Sequence, residues 1–117
     1  MDVIATLIEL KPRTSGIVDE WTRYVQEHRA AAEESLRAEG VAVESWFQVS
    51  LDGKDYLLCY MRAAAIEAAQ EIAARSDSHV DRYHREFKRN AWASGRVAGR
   101  LLLDLRAGEG CAERTDP

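Results

Sequence analysis

The dipeptide Asp52-Gly53 separates two runs of alternating side chains, residues 41–51 and 54–62. Asp-Gly favours the two-residue turn of a β-hairpin, because both central residues of that turn adopt a positive φ. A turn of this length also fixes the register of the two strands. The sequence therefore predicts an antiparallel hairpin near the middle of the chain. The expected cross-strand pairs are Leu51 with Lys54, Val49 with Tyr56, Phe47 with Leu58 and Ser45 with Tyr60.

Both faces of this predicted hairpin carry large apolar side chains. Successive residues of a strand point to opposite faces of its sheet. Because large apolar groups are poorly placed in water, we expect each face to be covered by other parts of the protein. One face carries Val43, Phe47, Val49, Tyr56, Leu58 and Tyr60, and the other carries Glu44, Trp46, Gln48, Leu57, Cys59 and Met61.

The segment before the hairpin predicts a strand and a long helix. Residues 2–10 are apolar and rich in β-branched side chains, which favours a strand. Residues 15–39 carry apolar side chains at helical spacing, which predicts one amphipathic helix. We expect that helix to end at Gly40, because glycine commonly follows the last turn of a helix.

The segment after the hairpin predicts two helical stretches and a last strand. Residues 63–75 are rich in Ala and predict a short helix. After a break at residues 76–78, where Ser78 with an acid three residues later resembles a capping box, a helix resumes to about Trp92. Residues 96–106 are rich in Leu and predict the last strand. The order strand–helix–strand–strand–helix–strand indicates a ferredoxin-like α+β fold with a four-stranded antiparallel sheet.

The sheet of such a fold has helices on one face only. The face with Trp46, Leu57 and Met61 would then meet water unless the sheet of a second copy covered it. We therefore predict a homodimeric α+β barrel. Because both faces look suitable for contact with a partner, the sequence leaves open which of them forms the interface.

The composition fits one domain of an ordinary soluble protein. We expect that domain to span residues 1–106 and a flexible tail to follow at 107–117. A net charge of −4 and the scattering of the 16 Lys and Arg residues argue against nucleic-acid binding.

No apolar run reaches the roughly 18 residues of a membrane span. The N-terminus lacks the basic start of a signal peptide, so we predict a cytoplasmic protein. Cys59 is expected to be a buried small apolar group, and Cys111 a free thiol of the tail.

Residues 76–84 gather two histidines and two aspartates at the start of a predicted helix. Asp77, Asp81 and His84 fall within one helical stripe, so Asp81 could orient the imidazole of His84 and raise its basicity, as a general base requires. The same trio could hold a divalent metal ion. Alternatively, the acids only complement the helix dipole, and Asp81 pairs with Arg85.

The three histidines differ in their expected surroundings. His84 lies on the more apolar side of its helix, so we expect it to point toward the sheet. His79 diverges from His84 by about 140°, so the two do not form the i, i+4 pair of helical zinc motifs. A lone buried histidine is also common as a core residue, and core packing is the expected role of His28.

Glu44 lies in the middle of a predicted strand, beside Trp46. A buried carboxylate is costly unless it is paired or protonated. Glu44 is therefore a candidate acid or base with a raised pKa inside the barrel. The alternative is an ion pair with an arginine such as Arg62 or Arg100. Trp46 and Tyr60 could line an aromatic pocket, or could pack in the core and the interface.

An ordered set of motifs runs along the chain: Val-Asp-Glu-Trp at 18–21, Glu39, Val-Glu-Ser-Trp-Phe at 43–47, Asp52-Gly53 with Tyr56-Leu57, and Ser-Asp-Ser-His-Val-Asp at 76–81 with His84. Together they resemble a bacterial family of small uncharacterised proteins over roughly residues 1–106. The resemblance implies the dimeric α+β barrel class, a dimer, and a site around Glu44, His79, Asp81 and His84. More distantly, that class includes cofactor-free monooxygenases, haem-degrading enzymes and sugar mutarotases, an analogy of fold that identifies no reaction.

These expectations combine into a hypothesis about function. The barrel would hold a small molecule between helices and sheet and would be an acid–base enzyme without a cofactor, of isomerase or monooxygenase type. The site residues would be His84, oriented by Asp81, as the proton-transfer group, Glu44 as a second ionisable group, and Trp46, Tyr60 and His79 as ligand contacts.

Two other functions stay open at this point. One is a non-catalytic binding or dimerisation module, in which the histidines and acids are caps and interface pairs. The other is haem binding through His84, since an imidazole facing an apolar cleft can hold haem iron. A cavity lined by both His84 and Glu44 would favour the enzyme. An exposed His84 and a Glu44 held in an intersubunit salt bridge would favour the module.

Overall fold

The computed structural model describes residues 1–108, which form four strands and four helices. In chain order these are β1 (Asp2–Leu10), α1 (Ser15–Glu27), α2 (Arg29–Glu39), β2 (Val41–Leu51), β3 (Lys54–Ala63), α3 (Ile66–Arg75), α4 (His79–Ala91) and β4 (Trp92–Ala98). The strands pair antiparallel in the order β2-β3-β1-β4. This is the ferredoxin-like α+β architecture, so the predicted fold class is confirmed.

The hairpin of β2 and β3 has the predicted turn and register. Asp52 and Gly53 adopt φ angles of 52° and 76°, as the turn type requires. All the expected cross-strand pairs are present. The register shifts only near the start of β2, between Val41 and Val43, where the strand carries an extra residue.

The prediction of a single helix over residues 15–39 is wrong, because the chain forms two helices that meet at His28. The φ and ψ of His28 are −113° and 36°, outside the helical range. Its Nδ1 lies 2.8 Å from the carbonyl oxygen of Tyr24, and its backbone N–H is shared between the carbonyls of Tyr24 and Val25. The imidazole thus intrudes on the hydrogen-bond ladder and interrupts the helix.

The other helix ends follow the sequence. Helix α2 ends at Gly40, whose φ of 77° is the left-handed conformation that glycine adopts most easily. Helices α3 and α4 are separated at residues 76–78, as predicted. Ser78 caps α4, because its hydroxyl accepts a hydrogen bond of 3.2 Å from the backbone N–H of Asp81.

The last strand lies earlier than predicted. β4 spans Trp92–Ala98, not residues 96–106, and it begins directly where α4 ends. Trp92 packs against the core at its start. The leucines at 101–103 resemble a buried strand in the sequence, but they are 55–74% exposed and lie beyond the last paired residue.

The helices cover the sheet face that carries Trp46, Leu57 and Met61, which corrects the prediction that a second copy covers this face. The hairpin register shows which side chains share a face, but it does not show on which face the helices pack. The main core joins α1 and α4 to the sheet through Leu10, Val18, Trp21, Leu57, Phe87 and Ala91, and a smaller cluster contains Val41, Ala63 and Ala69.

The opposite face of the sheet, termed the open face, has no helix packed on it. It carries the other hairpin set, including Leu58, Tyr56 and Tyr60. Four of its large apolar side chains are between 39% and 65% exposed, namely Val43, Phe47, Leu51 and Val97. The open face is thus an apolar surface that the described chain leaves in contact with water.

A C-terminal arm, defined as residues 99–106, continues from β4 along one edge of this open face. The Gly99 N–H donates to the carbonyl oxygen of Ala5, and farther on Asp104 forms an ion pair of 2.5 Å with Arg62. Four leucines of the arm are more than half exposed, namely Leu101, Leu102, Leu103 and Leu105.

The predicted flexible tail at 107–117, with Cys111, falls almost wholly outside the residues that the structure describes. Over residues 1–108, no helix has both the length and the apolar character needed to cross a bilayer.

Candidate functional site

A cleft of about 960 Å³ lies between the sheet and the helices that cover it. Cavities of this size hold small organic molecules in many proteins. Four of the six site residues proposed from the sequence line it: Glu44, Trp46, Asp81 and His84. The cleft therefore brings together residues from one strand and one helix that are far apart in the chain.

His84 lies on the side of α4 that packs against the sheet. Its Nδ1 accepts a hydrogen bond of 3.2 Å from the indole Nε1–H of Trp21, and the ring centroids of Trp46 and Phe87 are 5.6 and 6.2 Å away. An imidazole that accepts a hydrogen bond at Nδ1 carries its proton on Nε2 when it is neutral. Burial, and then the charge of Lys88, lowers the pKa of His84 to about 4. At neutral pH the imidazole is therefore uncharged and weakly basic.

Glu44 is in the middle of β2, on the cleft side of the sheet. Its Oε2 accepts a hydrogen bond of 2.9 Å from the indole Nε1–H of Trp46. Burial raises the pKa of Glu44, although that hydrogen bond and the charge of Lys88 act in the opposite direction. Glu44 has no ion-pair partner within residues 1–108. The carboxyl is therefore held in the cleft as a group that accepts a proton more readily than an ordinary glutamate.

Asp81 lies in the first turn of α4, but its carboxylate does not hydrogen-bond to His84 as predicted. Its Oδ2 instead accepts a hydrogen bond of 2.9 Å from the hydroxyl of Ser35, which connects α4 to α2. Arg85, the other predicted partner of Asp81, donates to backbone carbonyls in and after α3. Trp21 takes the orienting role, because its indole reaches the imidazole from a neighbouring helix.

Two further ionisable residues of the cleft were not among the site residues predicted from the sequence. Glu39 ends α2, and burial, followed by repulsion from Asp81 and Glu44, raises its pKa to about 7. Lys88 lies one turn after His84, and burial lowers the pKa of its ammonium group. The spacing of four residues from the histidine was the available signal for Lys88. Glu39 reaches the cleft only through the packing of α2 on the sheet.

Two of the predicted ligand contacts lie outside this cleft. Tyr60 is on the open face, where it lines a smaller cavity of about 420 Å³ beside the C-terminal arm. His79 is exposed at the start of α4, and its Nδ1 lies 2.8 Å from the hydroxyl of Tyr24. His28 stacks on the ring of Tyr24 at a centroid distance of 4.1 Å, in keeping with a packing role.

The trio of Asp77, Asp81 and His84 does not assemble as a metal site. In the part of the chain that is described, no three His, Cys, Asp or Glu side chains are placed to share a metal ion. Cys59 lines the cleft but is buried, and this burial raises the pKa of its thiol to about 12. It is therefore a small protonated group, as expected.

The sheet order, the helices on one face and the cleft between these layers define a protein of the ferredoxin-like α+β class. One solved structure of this class, described as a "Putative antibiotic biosynthesis monooxygenase from Nitrosomonas europaea", superposes with a TM-score of 0.53 and 21% sequence identity. The match covers 87% of this chain and 100% of the other. At this identity the likeness is one of fold.

The chain belongs to a family of unknown function, DUF6176, whose family model matches residues 1–107. The resemblance of the sequence to an uncharacterised family of this fold class is thereby confirmed. A comparison with proteins of curated function finds no match.

Proposed function

We propose that the cleft binds a small carbonyl compound and that the protein is a cofactor-free acid–base enzyme of isomerase or monooxygenase type. The observation that carries this proposal is the position of Glu44, a carboxyl group with a raised pKa, in the same cleft as the neutral imidazole of His84. A non-catalytic module is less well supported, because Glu44 and His84 line one cleft of ligand size and His84 is only partly exposed.

Glu44 takes the proton-transfer role that the sequence suggested for His84. An imidazole with a pKa of about 4 is too weak a base at neutral pH, whereas a carboxyl group with a raised pKa is a stronger base than an ordinary glutamate. His84 instead offers a protonated Nε2, because Trp21 occupies Nδ1. Such a donor stabilises an oxygen that becomes negative when a neighbouring C–H bond is broken.

The two reaction types share a first step and differ in the fate of the enolate. Removal of a proton next to a carbonyl gives the enolate, and return of the proton to another carbon gives an isomer. If the electron-rich enolate carbon instead bonds to O₂, a hydroperoxide forms at that carbon after uptake of the proton, and loss of water, which removes the remaining hydrogen of that carbon, leaves a new carbonyl group. The description of the fold relative as a monooxygenase is compatible with the second course, as an analogy of fold.

The proposal includes a homodimer in which the open faces of two copies meet, and the cytoplasmic location predicted from the sequence. The exposed apolar side chains of the open face, Phe47 and Val97 among them, support the dimer. This arrangement differs from the one expected from the sequence, because the face with Trp46 already packs under the helices.

The experiment that tests the proposed chemistry is exchange of carbon-bound hydrogen for deuterium in D₂O, followed by proton NMR over a panel of ketones and 1,3-dicarbonyl compounds. The wild-type protein should accelerate exchange in at least one compound. Glu44→Gln should lose about 100-fold of that acceleration or more, because an amide cannot take up the proton. Glu71→Gln, at an exposed position of α3, is the matched control and should keep the wild-type rate. A panel without acceleration, or a wild-type rate in Glu44→Gln, contradicts the proposal.

A further inference from the structure

Two cations and one tryptophan form a positively charged corner of the cleft, made of Lys88, Trp92 and Arg96. The Nζ atom of Lys88 lies 5.0 Å from the centroid of the Trp92 ring, and the Cζ atom of Arg96 lies 5.4 Å from it. Within residues 1–108, neither cation forms an ion pair. The corner therefore concentrates positive charge at the cleft without a carboxylate in ion-pair contact.

The indole N–H of Trp92 adds a second, independent observation at this corner. The two other tryptophans of the cleft donate to acceptors of the chain, Trp21 to His84 and Trp46 to Glu44. The Nε1 atom of Trp92 is buried and has no hydrogen-bond partner among the described residues. A buried N–H without an acceptor is rare and costly, so this donor favours a guest of the cleft that can reach it with an acceptor oxygen.

We propose that this corner binds the anionic oxygen of the substrate, and that the substrate is therefore a small organic oxyanion with a carboxylate or enolate group. The inference rests on the proposed function, because it names the class of molecule that the same cleft receives. Lys88 and Arg96 supply the charge, and Trp92 supplies a directed hydrogen bond. The remaining part of such a molecule would lie among the aromatic rings of the cleft, which accept flat apolar groups.

Two of the carboxyl groups that line the cleft, Glu39 and Glu44, are compatible with an anionic guest. An anion would be repelled by ionised neighbours, but burial raises the pKa of both Glu39 and Glu44, so both take up a proton more readily than ordinary glutamates. The charge of Lys88 acts on Glu44, yet the two do not form an ion pair. A molecule bound between these two groups would accept a hydrogen bond from the ammonium group of Lys88 and would exchange a proton with the carboxyl group of Glu44.

The test uses benzoate as the anionic probe and benzamide as a neutral probe of the same shape. Proton–nitrogen NMR spectra report the three indole N–H signals, and Trp92→Phe assigns the signal of Trp92. Benzoate should move that signal and bind about tenfold more tightly than benzamide, because it adds charge-assisted hydrogen bonds. Lys88→Met and Arg96→Met should each remove most of this preference. Lys54→Met, on the open face, is the matched control and should keep it.

The outcomes separate this inference from the proposed function. Equal binding of benzoate and benzamide, or benzoate binding that leaves the Trp92 signal unmoved, overturns the oxyanion site but leaves a small-molecule cleft. Loss of the preference in Lys54→Met also overturns it, because the charge effect would then not come from the corner. Failure of both probes to bind overturns the inference and the binding part of the proposed function together. If Lys88→Met does not fold, the exposed Arg96→Met decides the result.

Discussion

Burial lowers the pKa of His84 and raises the pKa of Glu39, because it disfavours the charged form of each group. The imidazole loses its proton more readily, with a pKa of about 4, and the carboxyl keeps its proton longer, with a pKa of about 7. At neutral pH the cleft therefore contains a neutral imidazole and a carboxyl that exchanges protons with the solvent.

The titration of Glu39 should be visible as a loss of stability with rising pH. Its pKa of about 7 in the folded protein, against an ordinary 4.5, means that the folded state binds the proton more tightly than the unfolded chain. The stability that it contributes is complete below 4.5 and is lost as the pH rises through 7. Glu39→Gln should therefore be more stable than the wild type by about 1 kcal/mol at about pH 8, after allowance for solvent screening.

Urea unfolding at about pH 5 and pH 8 measures this difference. The gain in Glu39→Gln should be several-fold smaller at the lower pH, where the carboxyl of the folded wild type is protonated. Glu71→Gln, which replaces an exposed carboxylate, should not raise the free energy of unfolding at either pH. An equal gain for Glu39→Gln at both pH values would mean that repulsion and burial of the charge are not the cause.

The hydrogen bond from Trp21 should fix the tautomer of His84. Nitrogen NMR of the wild type should show an unprotonated Nδ1 and a protonated Nε2 throughout the neutral range, because a pKa of about 4 keeps the ring neutral. Trp21→Phe removes the donor, so both tautomers should become populated, at a cost of about 1–2 kcal/mol in the free energy of unfolding. Trp92→Phe is the control, because its indole has no partner in the described chain. A single unchanged tautomer in Trp21→Phe would contradict the assignment.

At the scale of elements, the sequence predicts most correctly where a local rule decides the structure. The Asp52-Gly53 turn sets the register of the hairpin, and Ser78 and Gly40 set helix ends, because each acts through its own backbone or its nearest neighbours. The break at His28 follows no such rule, since no proline or glycine marks it. The leucines at 101–103 suggest a strand by composition, but that strand would need a neighbour that the described chain does not supply.

The candidate site shows the same division between local and tertiary information. Glu44 and His84 could be selected from the sequence, because a carboxylate in an apolar strand and a histidine on an apolar helix side are both unusual. The side chains that reach the site from other helices could not be selected in this way: Trp21, which donates to His84, Ser35, which donates to Asp81, and Glu39. Spacing along one helix suggested Asp81 as the partner of His84. In the structure the partner is Trp21, which is brought to His84 by the packing of α1 against α4.

The cap of α4 gives a prediction at this scale. Ser78→Ala removes the acceptor of the Asp81 backbone N–H and should lower the free energy of unfolding by about 1 kcal/mol. Ser78→Asp keeps an acceptor at the cap and should stay close to the wild type. Urea unfolding followed by circular dichroism measures both variants. If Ser78→Asp loses as much stability as Ser78→Ala, the serine matters for a reason other than capping.

At the scale of the whole molecule, the open face is the feature that the single chain does not explain. Four strands about 4.8 Å apart and strands of seven to eleven residues give this face a projected area of roughly 600 Å². A stable interface needs about 800 Å² from each partner. The four exposed leucines of the C-terminal arm lie beside this face and would supply additional apolar area. The proposed dimer should therefore depend on the arm as well as on the sheet.

The last prediction concerns this dependence on two surfaces. Phe47→Lys, on the open face, and Leu103→Lys, in the arm, should each turn a dimer into a monomer, because each places a charge in an apolar contact. Both residues are more than half exposed, 53% and 74%, so neither substitution should disturb the core. Ala30→Lys, on the exposed surface of α2, is the control. Light scattering after size-exclusion chromatography gives the mass of each protein.

If the wild type is monomeric at all concentrations, the proposed dimer is wrong. If Leu103→Lys remains dimeric, the interface is formed by the sheet alone. If the monomeric variants also keep the deuterium exchange of the wild type, the cleft is complete within one chain, and the dimer serves to cover the open face.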